Sequence, residues 1–243
     1  QVVIPVMTSS APLIELRSLV RSGSLGGVIL MDVSQGDERE AMLLEEKIPT
    51  VLIGSSGCTV GAPGVDTDFA QMAHEAVKHL AGLGHRRIVA LMRETSADDA
   101  HARQDQAQEL LRAAVDLGVD VLVRQVPELA LAGSEIVGAD GLVEGRSAVV
   151  SNNPAALVGL ACAAQAHGLS IPTDLSVLTL GVTECRGRQG EAFSEFSVDR
   201  EAMGTAAGSI LIACLRGEPE PAEHRTLMPV FLRNRGSTVR CRS

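Results

Sequence analysis

The sequence predicts an α/β fold built on parallel β-sheets. Short runs rich in Val, Ile and Leu recur along the chain, and longer segments with the apolar spacing of a helix separate them. This alternation is typical of strand–helix–strand units, in which neighbouring strands run parallel. The predicted strands are Gly27–Leu30, Thr50–Ile53, Arg87–Leu91, Val119–Val123, Ala148–Ser151 and Leu175–Leu180.

Helices are predicted between these strands from apolar periodicity and from the glycines that end them. In the segment Asp68–Leu83, small or apolar residues recur on one face, and Gly84 ends the pattern. The same reasoning predicts three further helices and one strand towards the end of the chain. The helices cover about 102–117, 154–167 and 200–215, and the strand covers 227–232.

The composition limits which partners are expected. The formal net charge of −9 opposes the phosphate backbone of nucleic acids, so this segment by itself is not expected to bind DNA. There is no Trp or Tyr and there are only four Phe, so a ligand would be held mainly by polar contacts. No apolar run is long enough to cross a membrane, and Gln1–Met7 lacks the pattern of a signal peptide. We therefore expect a cytoplasmic protein with no membrane partner.

The motifs do not indicate enzymatic, metal or cofactor chemistry. The five cysteines are scattered and odd in number, which is typical of reduced thiols and not of a disulfide or zinc framework. The glycines of Gly23–Gly27 precede a strand, whereas a nucleotide-binding loop follows one. The histidines accompany no nucleophile motif and are predicted to be structural. The sequence predicts a protein that is not an enzyme and uses no cofactor or metal.

Several blocks of sequence resemble one family of bacterial proteins. The most specific is His79–Leu91, which contains Leu-Gly-His-Arg-Arg-Ile and spans a predicted helix, turn and strand. Over most of the chain, the order of the blocks resembles that of transcriptional regulators of the LacI/GalR family, which are similar to periplasmic sugar-binding proteins. The other blocks are Val65–Asp68, Val150–Asn153, Ile171–Val177 and Ser197–Gly204.

The resemblance implies two doubly wound subdomains joined by crossing strands, with a small-molecule site in the cleft between them. The predicted N-terminal subdomain combines residues 1–67 with 200–227, and the C-terminal one combines 68–199 with 228–243. Val2–Val6 resembles the second strand of the N-terminal subdomain. We therefore expect a helix-turn-helix head, and the first strand and helix of this subdomain, to lie outside this sequence.

The resemblance also implies effector contacts. Arg103 takes the place of an effector-binding arginine, although Gln106 stands where the family has Gly; a solvated helix surface is the alternative for Arg103. Asn152 follows a strand, where an amide can donate to and accept from a polyol. Arg200, at the third crossover, either faces the ligand or pairs with a neighbouring acid. Ser55 either contacts the ligand or belongs to a turn.

Two further positions depart from the family's pattern. Asn153 replaces an acidic residue and either contacts the effector or caps the helix that begins at Pro154. Gly181 replaces an Asp that often holds a sugar hydroxyl, and it offers no side chain. If Arg103 and Arg200 both face the ligand, the loss of that acid favours an anionic or phosphorylated effector.

Together these features predict the effector-binding and dimerisation domain of a LacI-type transcriptional regulator. The expected partners are a small-molecule effector (a sugar, a sugar phosphate or a small organic acid), a second copy of the chain, and operator DNA bound through an N-terminal head outside this sequence. Effector binding would change the affinity of the intact protein for operator DNA. The alternative is an extracytoplasmic solute-binding protein of an ABC transporter, which shares the fold.

Overall fold

The chain forms two compact units, and it passes from one to the other three times, after Asp66, Asp199 and Met228. Unit 1 combines the described residues of 1–66 with 200–228, and unit 2 combines those of 67–199 with 229–243. The sequence predicts the first and third of these boundaries after residues 67 and 227. The computed structural model describes residues 12–58, 61–94, 101–138, 145–181, 192–218 and 224–241, and it gives only the backbone of residues 12, 101–105 and 138.

In the described residues of unit 1, four strands form a sheet with the order β1-β2-β3-β9, in which β1, β2 and β3 are parallel. Helix α7 packs on β1 and β2. Helices α1 and α2 share a small apolar core. The elements are α1 (Pro12–Arg21), β1 (Val28–Met31), α2 (Glu38–Glu45), β2 (Thr50–Ile53), β3 (Gly64–Thr67), α7 (Arg200–Leu215) and β9 (Arg225–Met228).

Unit 2 is built on a six-stranded sheet with the order β10-β8-β7-β6-β4-β5. All neighbours are parallel except β10, which pairs antiparallel with β8. Strands β6 and β7 are buried on both faces, as expected for a parallel sheet that helices cover on both sides. The strands are β4 (Arg87–Arg93), β5 (Asp120–Val126), β6 (Ala148–Ser151), β7 (Ser176–Leu180), β8 (Ser194–Val198) and β10 (Val230–Arg233).

Two helices cover each face of the unit 2 sheet. Helices α3 (Phe69–Gly82) and α4 (His101–Leu117) form a large apolar core with one face. Helices α5 (Ala130–Gly138) and α6 (Pro154–Ala166) form a second core with the other face. The observed architecture is therefore the doubly wound α/β fold that the sequence predicts.

Local sequence signals set the two ends of α3. The Asp68 carboxylate accepts a hydrogen bond from the Gln71 backbone N–H at 2.7 Å, which satisfies a free donor of the first turn. After the helix, Gly84 takes φ +91°, a conformation that side chains disfavour, and the chain turns into β4. The predicted apolar face is buried, with Met72, Ala73, Ala76, Val77 and Leu80 inside the core.

Helices α5 and α6 cross with their backbones in contact. Gly133 of α5 faces the carbonyl of Ala156, and Gly159 of α6 faces the carbonyl of Ala130. A Cβ at either glycine would overlap with the opposing carbonyl. The two helices can approach this closely only because both positions lack a side chain.

The segment that follows β10 is held to unit 2 by side-chain hydrogen bonds. Buried His85 contacts the Ser147 hydroxyl through Nδ1 at 2.7 Å and the Val239 carbonyl through Nε2 at 2.9 Å. His79 Nε2 lies 3.0 Å from the Thr238 hydroxyl. Burial lowers the pKa of both histidines, which favours their neutral form. Both therefore have the structural role that the sequence predicts.

Some predicted elements differ from the structure. Residues 227–232 do not form one strand: β9 and β10 are separate and belong to different sheets. Pro229 lies between them and has no N–H to contribute to a strand ladder. Strand β4 continues to Arg93, two residues beyond the predicted end. The predicted strand Val2–Val6 lies outside the described residues.

Candidate functional site

Strands β4, β6 and β7 of unit 2 end at the same edge of the sheet, because they are adjacent and parallel. Ligands of α/β folds bind beyond the carboxyl ends of such strands. The residues at these three strand ends are Arg93, Asn152 and Gly181. We call these three residues, together with Gln106 of α4, the unit 2 edge.

The amide of Asn152 is held in one orientation. Its Oδ1 accepts from the Arg93 backbone N–H at 2.8 Å, which ties the end of β6 to the end of β4. Its Nδ2 donates to Gln106 Oε1 at 2.9 Å, which ties the same amide to α4. The side chain is half-buried, and one N–H of Nδ2 remains for a further acceptor. The structure thus presents the predicted effector residue Asn152 as a fixed hydrogen-bond donor.

Gln106 is a site residue whose role the sequence did not reveal. It is buried within α4, where it accepts from Asn152 and donates through Nε2 to the Met72 sulfur at 3.4 Å. It therefore decides which way the Asn152 amide points. The only signal in the sequence is that Gln106 stands where the resembling family has Gly, and no local spacing connects α4 to the end of β6.

Asn153 is a helix cap, which corrects its prediction as an effector contact. Its side chain is fully buried, and its Oδ1 accepts from the Ala156 backbone N–H at 3.1 Å. Its Nδ2 donates to the carbonyls of Val126 and Pro127 at 3.1 and 3.2 Å. The alternative prediction, that Asn153 caps α6, is confirmed. Because both amide hydrogens bond within the chain and the group has no exposure, it is not offered to a ligand.

Arg93 brings positive charge to the unit 2 edge. Its Nη2 donates to Glu128 Oε1 at 2.8 Å, and its side chain is 29% exposed. Its Nε is buried and has no hydrogen-bond partner among the described residues. A guanidinium has five N–H donors, so this ion pair leaves capacity for a further anionic or polar group.

Gly181 contributes no side chain to the edge. It takes φ +68°, and among the described residues a Cβ built there would meet only the end of the Met72 side chain, at 4.0 Å. Its N–H donates to the Phe196 carbonyl at 2.8 Å. The position therefore offers neither a carboxylate nor a free N–H, and the backbone conformation disfavours any residue with a side chain.

Two predicted arginines lie at helix starts. Arg103 is in the first turn of α4, and its side chain lies outside the described residues. That turn contains no acidic residue, so nothing in it offsets the positive end of the helix dipole. Arg200 is the first residue of α7 in unit 1, where its side chain is exposed.

Asp37 and Arg39 form a two-pronged ion pair after β1 in unit 1. Arg39 Nε and Nη2 donate to the two carboxylate oxygens at 2.9 and 2.6 Å. The same carboxylate accepts from the Ser34 and Arg39 backbone N–H groups at 3.0 and 2.9 Å. Burial raises the pKa of Asp37, but these hydrogen bonds outweigh burial and hold that pKa below its ordinary value. The pair fixes the loop between β1 and α2.

Ser55 belongs to the turn after β2, which confirms one of its two predicted roles. Its Oγ accepts from the Gly57 N–H at 3.2 Å, and the Ser56 Oγ accepts from the Cys58 N–H at 3.4 Å. The Ser56 carbonyl accepts from the Gly36 N–H at 2.9 Å, which joins this turn to the loop between β1 and α2. The ligand contact of Ser55 stays a prediction.

Within the described ranges, no group of three or more His, Cys, Asp or Glu side chains is placed to hold a metal ion. None of the helices in that part of the chain is both long and apolar enough to cross a membrane. The described cysteines Cys58, Cys162, Cys214 and Cys241 are free thiols.

Comparison with known proteins decides the family. A model of the periplasmic binding protein-like domain matches residues 77–238, which is more than half of the chain. The chain belongs to this family. Unit 2 supplies most of the matched residues.

Curated relatives of this periplasmic binding protein-like chain are transcription regulators. An uncharacterised HTH-type regulator of Streptomyces limosus is 26% identical over 207 residues, which are 82% of this chain and 58% of the relative. The HTH-type regulator MalR of Streptomyces coelicolor is 24% identical over 238 residues, which are 93% of this chain and 67% of MalR. The chain thus spans little more than half the length of the first relative and about two thirds of the second.

Solved structures show the same fold. A LacI-family regulatory protein from Chloroflexus aggregans has a TM-score of 0.81 at 24% identity, over 97% of this chain and 84% of that one. The regulator CelR in complex with cellobiose has a TM-score of 0.75 at 21% identity, over 93% of this chain and 70% of that one. The chain therefore has the fold of LacI-type regulators, and the curated relatives named above are transcription regulators as well.

Proposed function

We propose that this periplasmic binding protein-like chain is the effector-binding and dimerisation core of a LacI-type transcriptional regulator. The observation that carries the proposal is the similarity to HTH-type regulators along 82% and 93% of the chain. In the intact protein, a helix-turn-helix head outside this sequence would bind operator DNA. A small-molecule effector bound to this chain would change the affinity for that DNA in the cytoplasm.

The unit 2 edge is the proposed effector-contact surface of unit 2. Asn152 offers an N–H whose direction Gln106 fixes, and Arg93 offers guanidinium donors. The resemblance adds Arg103, from the first turn of α4. These groups donate hydrogen bonds, so the effector is expected to present acceptor oxygens to them.

The finer proposal concerns the charge of the effector. Gly181 supplies no carboxylate, Glu128 is already paired with Arg93, and the first turns of α4 and α6 contain no acid. These features favour a sugar phosphate or a small organic acid over a neutral sugar, as the sequence predicts. Glu94 follows β4 and is exposed, and its negative charge would repel an anionic effector. The similar regulator CelR is the contrasting case, because it binds the neutral disaccharide cellobiose.

A thermal-shift series with matched ligands tests this proposal. Glucose 6-phosphate, citrate, glucose and cellobiose are added to the chain, and stabilisation should follow the ligand concentration. We expect a shift with an anionic probe that Asn152→Ala abolishes and that Gln108→Leu, on the exposed face of α4, leaves unchanged. A shift with the neutral sugars alone would overturn the anionic proposal and leave the regulator proposal standing.

The regulator proposal has its own test. The full-length gene product is titrated onto DNA from its own upstream region, with and without the ligand found in the thermal-shift series. We expect DNA binding whose affinity changes with the ligand, and no DNA binding by this acidic chain alone. A full-length protein that binds the ligand but no DNA would support a solute-binding protein instead.

Dimerisation is proposed to use the outer face of α5. Leu129, just before α5, and Leu131 of α5 are 59% and 67% exposed, and such adjacent apolar residues are typical of subunit interfaces. We expect Leu131→Asp to convert a dimer into a monomer in sedimentation experiments. Val115→Asp changes an apolar residue of α4 that is 82% exposed, and it is the control. A dimer that survives Leu131→Asp would exclude this face.

A further inference from the structure

The guanidinium of Arg93 at the unit 2 edge is only half paired along one side. Its Nη2 donates to Glu128 Oε1 at 2.8 Å. The Nε–H lies on the same side of the planar group as Nη2, and together they form a fork that matches two oxygens of a carboxylate or phosphate. Nε is nevertheless buried, with no hydrogen-bond partner among the described residues. Glu128 therefore fills one prong of the Arg93 fork and leaves the other empty.

The ion pair of Asp37 and Arg39 is an example of a filled fork in the same chain. Arg39 donates through Nε and Nη2 to both oxygens of one carboxylate. The Asp37 side chain is only 4% exposed, whereas that of Glu128 is 42% exposed. Partly exposed ion pairs are weak, because water screens them and the side chains lose freedom when they pair. An acceptor that fills both prongs of Arg93 can therefore replace Glu128.

The empty prong has a cost that a ligand can remove. A buried N–H without a partner has lost its hydrogen bonds to water and gained none in return. An anion that accepts from both Nε and Nη2 would satisfy this N–H and keep the charge of Arg93 paired.

The charge of the incoming anion decides whether the exchange is favourable. A ligand carboxylate carries the same charge as Glu128, so the Coulomb attraction to Arg93 gains nothing from the exchange. A phosphate group has a second negative charge and further acceptor oxygens, and it pairs with both prongs of an arginine. Glu94 and Glu128 are exposed, so water screens their repulsion of the phosphate. Phosphate is therefore the anion best suited to take the place of Glu128.

We propose that a phosphate group of the effector displaces Glu128 from Arg93 and accepts hydrogen bonds from Nε and Nη2 together. Glu128 is then a specificity-determining residue, because it holds the fork until a stronger acceptor takes its place. A neutral sugar hydroxyl cannot pair with the positive charge, so it leaves Glu128 in position. The inference rests on the proposed binding of an anionic effector at the unit 2 edge, and it narrows that effector to a phosphorylated one.

Displacement of Glu128 also affects the segment that leads into α5. Residues 127–129 join β5 to α5. Buried Asn153 holds the start of this segment through two backbone carbonyls. Glu128 lies in the middle of the segment, where the ion pair with Arg93 holds it. A phosphate that releases Glu128 therefore loosens the segment in front of Leu129, while Asn153 keeps its start in place.

Isothermal titration calorimetry of the chain with inorganic phosphate and with acetate tests the displacement. We expect phosphate to bind more tightly than acetate. Glu128→Gln removes the competing charge and should bind phosphate at least about tenfold more tightly than the unmodified chain. Glu75→Gln is the matched control and should leave the affinity unchanged, because Glu75 forms a similar ion pair with Lys78 on α3 and is 37% exposed.

Arg93→Lys separates the fork from the charge. Lysine keeps the positive charge but has no pair of parallel donors. We expect Arg93→Lys to bind phosphate at least about tenfold more weakly than the unmodified chain. The double variant with Glu128→Gln should lose most of the gain that Glu128→Gln alone produces. A gain of the same size in the double variant would show that net charge, and not the fork, binds the anion.

Hydrogen exchange of residues 127–131 tests whether Glu128 leaves Arg93. We expect faster exchange of this segment when phosphate binds the unmodified chain. Glu128→Gln should exchange at the faster rate without phosphate, because its ion pair is already lost. Exchange that phosphate leaves unchanged would mean that the anion binds beside an intact ion pair, which would overturn the displacement.

The titrations can also contradict the inference in ways that separate it from the proposed function. Equal phosphate affinity of Glu128→Gln and the unmodified chain, or no phosphate binding by either, would overturn the displacement. A sugar phosphate that stabilises both proteins equally in the thermal-shift series would do the same and leave the proposed effector standing. If Glu128→Gln strengthens phosphate binding but no sugar phosphate or organic acid stabilises the chain, the fork is an anion site and the proposed effector is wrong.

Discussion

Gln106 Oε1 accepts a hydrogen bond from Asn152 Nδ2 at 2.9 Å, so a buried residue of α4 orients the amide at the end of β6. The other side of that amide is fixed by the Arg93 backbone N–H. An amide held from both sides loses little conformational freedom when a ligand binds, which favours affinity. The orientation of the proposed effector contact is therefore set before any ligand arrives.

Gln106→Leu should weaken both folding and ligand binding. The change removes an acceptor and leaves the Asn152 N–H without its partner, which costs about 1–3 kcal/mol of unfolding free energy. Urea denaturation measures this loss, and the ligand from the thermal-shift series measures the change in affinity. Gln108→Leu, exposed on the same helix, is the control. Equal stability of the two variants would contradict a positioning role for Gln106.

His85→Gln should make stability less dependent on pH. The pKa of His85 in the folded chain lies below the ordinary value of 6.5, because burial disfavours the charged ring. The stabilisation by neutral His85 is therefore fully present above that ordinary pKa, and it is lost as the pH falls through the lowered value. The difference in unfolding free energy between the unmodified chain and His85→Gln should shrink from about pH 7.5 to about pH 5.

Exposed His74 on α3 provides the control for this pH series, since His74→Gln changes no buried group. A stability difference for His85→Gln that stays constant over the whole pH range would show that protonation of His85 has no part in it. Because burial also lowers the pKa of His79, the double variant His79→Gln with His85→Gln should show the flattest profile.

The free energy of unfolding should fall by about 1–3 kcal/mol in Gly133→Ala and by a similar amount in Gly159→Ala. A methyl group at either site overlaps with a backbone carbonyl of the facing helix. Thermal unfolding and urea denaturation measure the loss. Gly82→Ala, also helical but with open space around its Cβ, should be neutral or slightly stabilising. Tolerance of Ala at both crossing positions would mean that α5 and α6 lie farther apart than described.

Asp37→Asn should loosen the loop between β1 and α2. The variant keeps the shape of the side chain but removes the buried carboxylate charge that half-buried Arg39 pairs with, at a cost of about 1–3 kcal/mol. Since the pKa of Asp37 is lowered on folding, its contribution is present above its ordinary value of 3.8 and is lost as the pH falls through the lowered one. Hydrogen exchange of the loop amides measures the effect.

Asp116→Asn, at an exposed position of α4, is the control for this experiment. Exchange of the amides around Ser34 should be faster in Asp37→Asn and unchanged in Asp116→Asn. If the two variants exchange alike, the ion pair does not hold the loop.

Much of the fold follows from local signals that the sequence carries. Apolar periodicity and a terminal glycine predict α3 closely, because one buried face and one conformationally free residue determine where it lies and ends. The Asn-Pro pair at Asn153 likewise predicts the cap of α6. Helix α5 is apolar on nearly all sides, so it presents no stripe, and the sequence does not reveal it.

The resemblance to LacI/GalR regulators implied the site residues Asn152 and Gly181. Both follow strand ends, where ligands of α/β folds bind. The partnership of Asn152 with Gln106, and the division of residues 227–232 between two sheets, depend on contacts far apart in the chain. Spacing and composition carry no information about such contacts, so they become visible only in the folded chain.

The interleaved path of the chain has a consequence for its synthesis on the ribosome. Strand β9 is an edge strand of the unit 1 sheet and β10 an edge strand of the unit 2 sheet, and only Pro229 separates them. A nascent chain therefore completes both sheets at almost the same moment, after nearly every other element has been made. Until then each unit exposes an unpaired strand, which makes the arrested chain a substrate for chaperones or proteases. A premature stop before β9 should therefore leave two unfinished units in place of one intact unit.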